Sequence, residues 1–184
     1  MTYLIEKIFS LFDRLVTFVI TFIYKYRFNK FGKGSVIKYG CIIKNPKNIE
    51  IGDNVTIEDH VWLNAGSGNC KLIIKNNCHI GRFTHINAFN YVLIEEDVLI
   101  AGNVYLGDAD HGIKVNMPII FQEIVIKGPV LIRKGCFICK NAIISANTDV
   151  GEYTIIGPSA YVLQDKIKKN SLLIGNPAKC FPRK

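Results

Sequence analysis

Long hydrophobic runs are scarce in this chain of 184 residues. Near the N-terminus the longest charge-free stretch, Leu15 to Tyr24, falls well short of the roughly 20 apolar residues that span a bilayer. Six prolines and 15 glycines are spread thinly, which excludes a low-complexity linker. With 49% hydrophobic and only 21% charged residues, the chain is not a disordered one. The N-terminus has no short basic region followed by an apolar stretch and a small-residue cleavage site, so no secretory signal is expected. The cysteines Cys41, Cys70, Cys78, Cys136, Cys139 and Cys180 then read as small buried residues of a reducing cytoplasm rather than a disulfide framework. Cys136 and Cys139 form a Cys-x-x-Cys, but no second pair stands at zinc-ribbon spacing. Acidic residues are outnumbered, 15 to 23, for a net charge of +8. That balance permits nucleic acid, an anionic membrane or an anionic substrate as partner.

The basic excess is concentrated at the start. Residues 1–34 carry Lys7, Arg14, Lys25, Arg27, Lys30 and Lys33 against Glu6 and Asp13. Residues 3–28 contain no Pro or Gly and read as a helix. Glu6, Ser10, Asp13, Thr17 and Thr21 recur at steps of three and four and draw a polar stripe. A wide apolar face carries Phe9, Phe12, Val16, Val19, Ile20 and Ile23. Aromatics interleaved with cations over 24–33 suit a membrane surface. Packing of the apolar face on the domain, or on its copy in an oligomer, is the competing reading.

Beyond this helix a repeat governs the chain. Aliphatic residues fall on every sixth position at Ile132, Ile138, Ile144, Val150, Ile156 and Val162. The same step gives Ile51, Ile57, Leu63; Ile74, Ile80, Ile86; Ile94, Ile100, Leu106; and upstream Phe31, Ile37, Ile43. The residue after an anchor is often Gly (Gly52, Gly81, Gly151, Gly157), and the fourth after it is small or β-branched, as at Val55, Val61, Thr84, Ala142 and Ala160. A period of six fits neither a helix nor an isolated strand. It fits a triangular prism whose chain turns a Gly-tolerant corner every six residues, three hexads closing one coil and stacked coils pairing at ~4.8 Å. Only 64–73 and 107–131 displace the frame, and the longer is a loop on a rigid scaffold, where chemistry tends to sit.

The hexads resemble the left-handed parallel β-helix of the hexapeptide-repeat acyltransferases. Gly175-Asn-Pro-Ala-Lys179 resembles the closing signature of the maltose, galactoside and capsule or O-antigen acetyltransferases. An all-β solenoid is therefore expected, with an N-terminal α-helix over 1–30, a left-handed β-helix over 31–167 bearing the loop 107–131, and a C-terminal segment over 168–184. The hexad match covers 31–167, and residues 1–30 lie outside it.

Among the histidines, His60, His79 and His85 fall inside hexads and are expected to point outward as packing residues. His111 differs. It stands in Leu106-Gly-Asp-Ala-Asp-His-Gly at the mouth of the loop, where the family carries its catalytic histidine. Imidazole suits the task, because it titrates near working pH and can take a proton from an attacking hydroxyl. Asp108 and Asp110 are expected at the acceptor, either able to orient the imidazole. Asn87 follows Ile86, one layer from the approach to His111, and the resemblance implies acceptor contact. Glu95 and Glu96 are candidates for the family's acidic acceptor ligand.

The resemblance also implies a coenzyme A site. Phe137-Ile138-Cys139-Lys140 stands where the family has a Trp-Ile-Gly segment followed by an oxyanion donor, which the Lys140 N–H can still supply. Cys139 and Ala142 belong to this stretch. Pro158, Ser159 and Ala160 match the lining of the pantetheine arm, Gln164 lies beyond them, and Lys179 is the candidate for the 3′-phosphate, with Lys166, Lys168 and Lys169 as further cations.

Taken as a whole, the resemblance implies an acetyl-CoA-dependent O-acetyltransferase acting on a sugar hydroxyl in surface-polysaccharide assembly. Its acceptor is a sugar or lipid-linked saccharide, its state a homotrimer with the site between prisms, and no metal is expected. N-acetylation of an amino sugar is the nearest variant. A zinc hydratase like γ-carbonic anhydrase and a silent scaffold are the other classes, and the hexads offer nucleic acid no continuous basic groove. The expected location is cytoplasmic, with peripheral membrane contact through residues 1–30.

Overall fold

The computed structural model describes the backbone of residues 2–163 and 165–183. Helix α1 (Thr2–Lys25) leads into a parallel β-solenoid of about seven coils, the all-β solenoid that the hexads led us to expect. Each of the first six coils lays one short strand on each of three sheets, and the last adds strands to the first two. The first sheet runs from Lys30–Phe31 to Asp165–Ile167, the second from Val36–Ile37 to Ser171–Ile174, and the third from Ile42–Lys44 to Tyr161–Val162.

The anchors stack in register. Ile51 pairs with Ile74, Ile74 with Ile94, Ile94 with Ile132, and Ile132 with Val150. Ladder continuity from Ile94 to Ile132 shows that the long excursion leaves and rejoins the same frame. Every anchor named above except Phe31 is buried, and most have no exposed surface. Full burial of one Ile or Leu is worth about 1.5–3 kcal/mol, so these three columns dominate the core. The fourth residue after the anchor fills the gap between columns: Val55, Val61, Thr84, Ala142 and Ala160 are all at 0% exposure.

The corner is made differently from the expectation. Left-handed backbone falls on the third residue after the anchor, at Asn54, His60, Asn77, Phe83, Asp97, Asn103, Asn141, Tyr153 and Ser159. Asn suits this conformation best after Gly. The glycines just after anchors serve close stacking instead. A Cβ at Gly81 would lie 2.5 Å from the carbonyl carbon of Ala101, and one at Gly151 would lie 2.6 Å from the Ile167 carbonyl oxygen.

Two boundaries move, and the loop gains structure of its own. The helix stops at Lys25 rather than 28, and Phe28 turns into the core beside Phe31, ring centroids 5.4 Å apart. The solenoid runs past 167: Ser171–Ile174 adds a parallel strand with Leu173 buried, and Lys179–Pro182 folds back on it antiparallel. Finally, the excursion holds an antiparallel arm, Ala109–His111 against Ile124–Ile126. Gln122 ties its end by accepting from the Lys114 N–H at 2.7 Å and donating to the Met117 carbonyl at 2.7 Å.

Helix α1 docks by the stripe that the sequence pattern set apart as polar. Thr21 Oγ1 accepts from the Ile37 N–H at 2.9 Å, and the Tyr24 hydroxyl donates to the Cys41 carbonyl at 3.4 Å. Val16, Thr17, Ile20, Thr21 and Tyr24 are half-buried, while Phe12, Leu15, Phe18, Val19, Phe22 and Ile23 are exposed. The first coil offers unpaired edge carbonyls and N–H groups, and threonine and tyrosine hydroxyls satisfy them better than aliphatic side chains can. The apolar face is thereby split: Val16 and Ile20 go with the docked side, Ile20 packing on the core, while Phe9, Phe12, Val19 and Ile23 are turned outward.

Candidate active site

The hexad frame fixes which residues project from the third sheet. Residues just before its anchors (Trp62, His85, Tyr105, Ile143, Tyr161) and just after them (Asn64, Asn87, Gly107, Ser145, Leu163) face outward, because side chains alternate along a strand. Over the later coils they line a groove of about 620 Å³ with Tyr105, Gly107, Ser145 and Tyr161 as its floor and Ala109, Asp110 and Lys127 of the arm as its wall. Gly107 leaves the groove open beside Asn87: a Cβ there would lie 3.0 Å from the Tyr105 hydroxyl and 3.2 Å from the Asn87 Cβ.

A polar line leads into this groove. Asn64 donates to Asn87 Oδ1 at 3.0 Å, and Asn87 Nδ2 donates to the Tyr105 hydroxyl at 3.4 Å. Asn87 pairs in register with Gly107 and therefore sits one layer from the groove. Beside this line the Trp62 and His85 rings stack at 4.2 Å and 10°, with Tyr105 edge-on to His85 at 5.6 Å. Trp62 Nε1 and His85 Nε2 are buried with no hydrogen-bond partner among the described residues. Burial lowers the His85 pKa, with a lesser opposing effect from the hydrogen bond to Asn87. His60, His79 and His85 are thus packing residues, His60 stacking on Phe83 at 5.2 Å and His79 standing 4.0 Å from Glu58.

The two aspartates part company. Asp108 has no exposed surface, and its carboxylate accepts the backbone N–H groups of Phe89, Asn90 and Tyr91, each at 2.7 Å. It holds the turn that follows Asn87 and reaches neither an acceptor nor the imidazole, contrary to the expectation. Asp110 lines the groove, yet its Oδ1 accepts the backbone N–H of His111 at 2.8 Å rather than a ring N–H. His111 itself ends the outgoing strand of the arm, exposed, and its ring has no partner among the described residues. Unlike Asp110, it does not line the groove of its own chain.

The residues expected at coenzyme A divide by burial. Cys139 is half-buried, and Lys140, Pro158 and Ser159 are exposed on the corner between the second and third sheets. The Ser159 N–H donates to the Lys140 carbonyl at 3.0 Å, while the Lys140 N–H has no partner among the described residues and is free to meet an oxyanion. Ala142 and Ala160 are corrections: both methyls lie in the core, and their N–H groups are spent on the Cys139 and Gly157 carbonyls. Gln164 lies outside the described residues. The closing motif packs against the last strand of the third sheet: Tyr161 N–H donates to the Gly175 carbonyl and Ala178 N–H to the Tyr161 carbonyl. Exposed Lys179 is thus held next to a strand that lines the groove.

Glu95 and Glu96 belong elsewhere. They pair with Arg133 at 3.4 Å and with Lys75 and Lys134 at 3.6 to 3.8 Å, on the side of the first sheet. Lys166, Lys168 and Lys169 border that ion-pair cluster rather than the groove. Among the described residues no group of three or more His, Cys, Asp or Glu could hold a metal ion. Tyr105, Lys127, Ser145 and Tyr161 are the site residues that sequence reasoning missed. All but Lys127 are the outward neighbours of Leu106, Ile144 and Val162, so the frame contained the signal.

No family model matches the chain. It is 26% identical over 155 residues to WbbJ of Escherichia coli, named as an O-acetyl transferase of lipopolysaccharide biosynthesis, covering 80% of this chain and 78% of that protein. It is 31% identical over 132 residues to a Mycobacterium tuberculosis protein named as an acetyltransferase, covering 71% of this chain and 43% of that one. Among solved structures, a point mutant of AntD, an N-acyltransferase from Bacillus cereus in complex with dTDP-4-amino-4,6-dideoxyglucose and coenzyme A, superposes with a TM-score of 0.75 at 25% identity, covering 88% and 87% of the two chains. A hexapeptide-repeat acetyltransferase of Vibrio cholerae complexed with acetyl coenzyme A gives 0.60 at 18% identity over 87% and 73%. Sequence and fold together bear out the resemblance to the hexapeptide-repeat acyltransferases.

Proposed function

We propose that this chain is an acetyl-CoA-dependent O-acetyltransferase that esterifies a sugar hydroxyl during surface-polysaccharide assembly. The observation that carries the reading is one juxtaposition: an arm that ends its outgoing strand on an exposed histidine and walls, through Ala109 and Asp110, a groove floored by Tyr105 and flanked by Asn87. Acetyl-CoA supplies an activated thioester carbonyl. His111 takes the proton of the attacking sugar hydroxyl and passes it to the departing sulfur. The Lys140 N–H stabilises the oxyanion, Asn87 positions the acceptor, and Lys179 meets the nucleotide phosphate.

The exposed ring of His111 supports a shared site, in which the arm of one copy serves the groove of the next and three prisms close a ring. The arm's apolar end, with Val115 at 96% and Ile120 at 81% exposure, gives the neighbouring prism a surface to bury. The outward face of α1 supports peripheral contact with an anionic membrane. On a helical wheel Lys7, Arg14 and Lys25 line one edge of that face, while Glu6 and Asp13 fall on the side of the prism. No helix among the described residues is long and apolar enough to cross a membrane, so the face is read as interfacial.

The test is a screen of activated and lipid-linked sugars with acetyl-CoA, reading released thiol, on protein whose mass is measured by light scattering. Sugar-dependent release from a species of three times 20.7 kDa is expected. Thiol release that no sugar accelerates overturns the activity, and an active monomer overturns the shared site.

A further inference from the structure

A second groove, of about 780 Å³, lies between the first half of α1 and the corner joining the second and third sheets. Down that corner the left-handed position is held in successive coils by Gly40, His60, Phe83, Asn103, Asn141 and Ser159. Gly, Asn and Ser suit it, whereas a bulky aromatic at positive φ is an outlier that a structure keeps for a reason. Phe83, at φ 61°, is 57% exposed, so it gains no core packing from the conformation it bears. Its ring lies nearly parallel to His60, at 5°, and Tyr39 stands edge-on to His60 at 5.9 Å. Gly40 makes the stack possible, since a Cβ there would lie 2.3 Å from His60 Nδ1.

The polar groups of the groove have one dominant sign. Arg82 is engaged by Asp59 at 3.3 Å, and Asp13 on the facing helix has no partner among the described residues. With Arg82 already paired, the groove lining offers a phosphate or anionic headgroup no uncommitted Lys or Arg. Hydroxyl groups need none, because a carboxylate accepts their hydrogen bonds while aromatic faces cover the C–H surface of a pyranose ring.

We propose that this groove binds a neutral stretch of saccharide at a distance from the transfer site, as a holding site for a polymeric or oligomeric acceptor. The inference rests on the proposed function, in which the acceptor is a sugar. It explains why the aromatics are exposed and stacked, and why the Asp13 carboxylate faces them across the gap. A helix docked at its C-terminal half, through Thr21 and Tyr24, leaves its first half overhanging as the second wall.

Phe83→Asn tests this, since Asn103 and Asn141 already occupy the same corner and the fold accepts the change. Wild type and variant are titrated calorimetrically with a panel of neutral gluco- and galacto-oligosaccharides without acetyl-CoA, and their melting temperatures are compared. The wild type is expected to bind at least one of them, and the variant to bind it roughly tenfold more weakly, the worth of one lost aromatic face, with its melting temperature kept or raised. Equal binding by both proteins, or none by the wild type, overturns the proposal. So does a variant that changes only in phosphatidylglycerol-vesicle binding or in oligomeric mass, which would assign the groove to lipid or to a second copy. Thiol release with a monosaccharide acceptor, run in parallel, separates the two readings. Transfer without oligosaccharide binding rejects the groove alone, and binding without transfer rejects the proposed reaction alone.

Discussion

The prism hides the aliphatic residues of its anchor columns: Ile57, Ile80, Ile100, Ile138 and Ile156 all stand at 0% exposure in a single column. The two appendages do the reverse. Helix α1 exposes Leu11 at 70% and Phe18 at 68%, and the arm exposes Val115 at 96% and Ile120 at 81%. The hydrophobic effect acts on both alike, so the difference lies in what each region has to pack against. Stacked coils supply their own partners every ~4.8 Å, whereas one helix and one hairpin cannot bury an apolar face alone. The prism packs on itself, and the appendages carry the exposed apolar faces that mark an interaction surface.

The largest expected effect comes from the arm. His111→Ala should lower kcat by 10²–10⁴-fold, the ordinary worth of a general base, with the melting temperature unchanged because the exposed ring has no partner among the described residues. Near-normal turnover would demote the arm to a structural element.

Truncating one aliphatic residue in each region sharpens the contrast. Ile100→Ala, in the central column, should cost about 2–5 kcal/mol in denaturant unfolding. Ile120→Ala, on the arm, should stay within about 0.5 kcal/mol in the isolated chain and weaken only the oligomer. Equal costs would mean that the arm is packed like core.

Legibility follows the same division. Column and register were readable because Ile51, Ile74, Ile94 and Ile132 repeat one local environment, and each repeat confirms the last. The direction in which α1 faces was not. A polar stripe of Thr17 and Thr21 reads as solvent-facing, and only the unpaired edge of the first coil shows why it docks. Asp108 and Asp110 are two residues apart in a loop, and nothing in the sequence says that one of them caps a buried turn three coils into the stack. Ala142 and Ala160 could have been placed correctly, since the fourth position after an anchor is an inward one.

Membrane contact gives the next effect in size. Phe22→Glu, on the outward face of α1, removes a side chain worth about 1.5–3 kcal/mol on burial, so affinity for phosphatidylglycerol vesicles at low salt should fall roughly tenfold or more. Unchanged sedimentation with vesicles would leave that face to an oligomer contact.

The smallest effect is a pH dependence inside the prism's outer wall. Burial against Trp62 disfavours the His85 imidazolium and holds its folded-state pKa below 6.5. The unfolded chain then binds the proton more readily, so stability is full above 6.5 and declines as pH falls through that value toward the folded one. His85→Phe keeps a ring in the stack and should flatten the decline in melting temperature between about pH 7.5 and about pH 5.5. A variant that declines as steeply as the wild type would place the sensitivity at another group.

Acetyl transfer to a sugar hydroxyl is read with acetyl-CoA labelled in the acetyl group, an acceptor from the sugar screen, and the stability of the labelled product to mild alkali. A sugar ester, released by alkali and formed only with active His111, is the predicted result. An alkali-stable amide, or label that never leaves coenzyme A for a sugar, would contradict it.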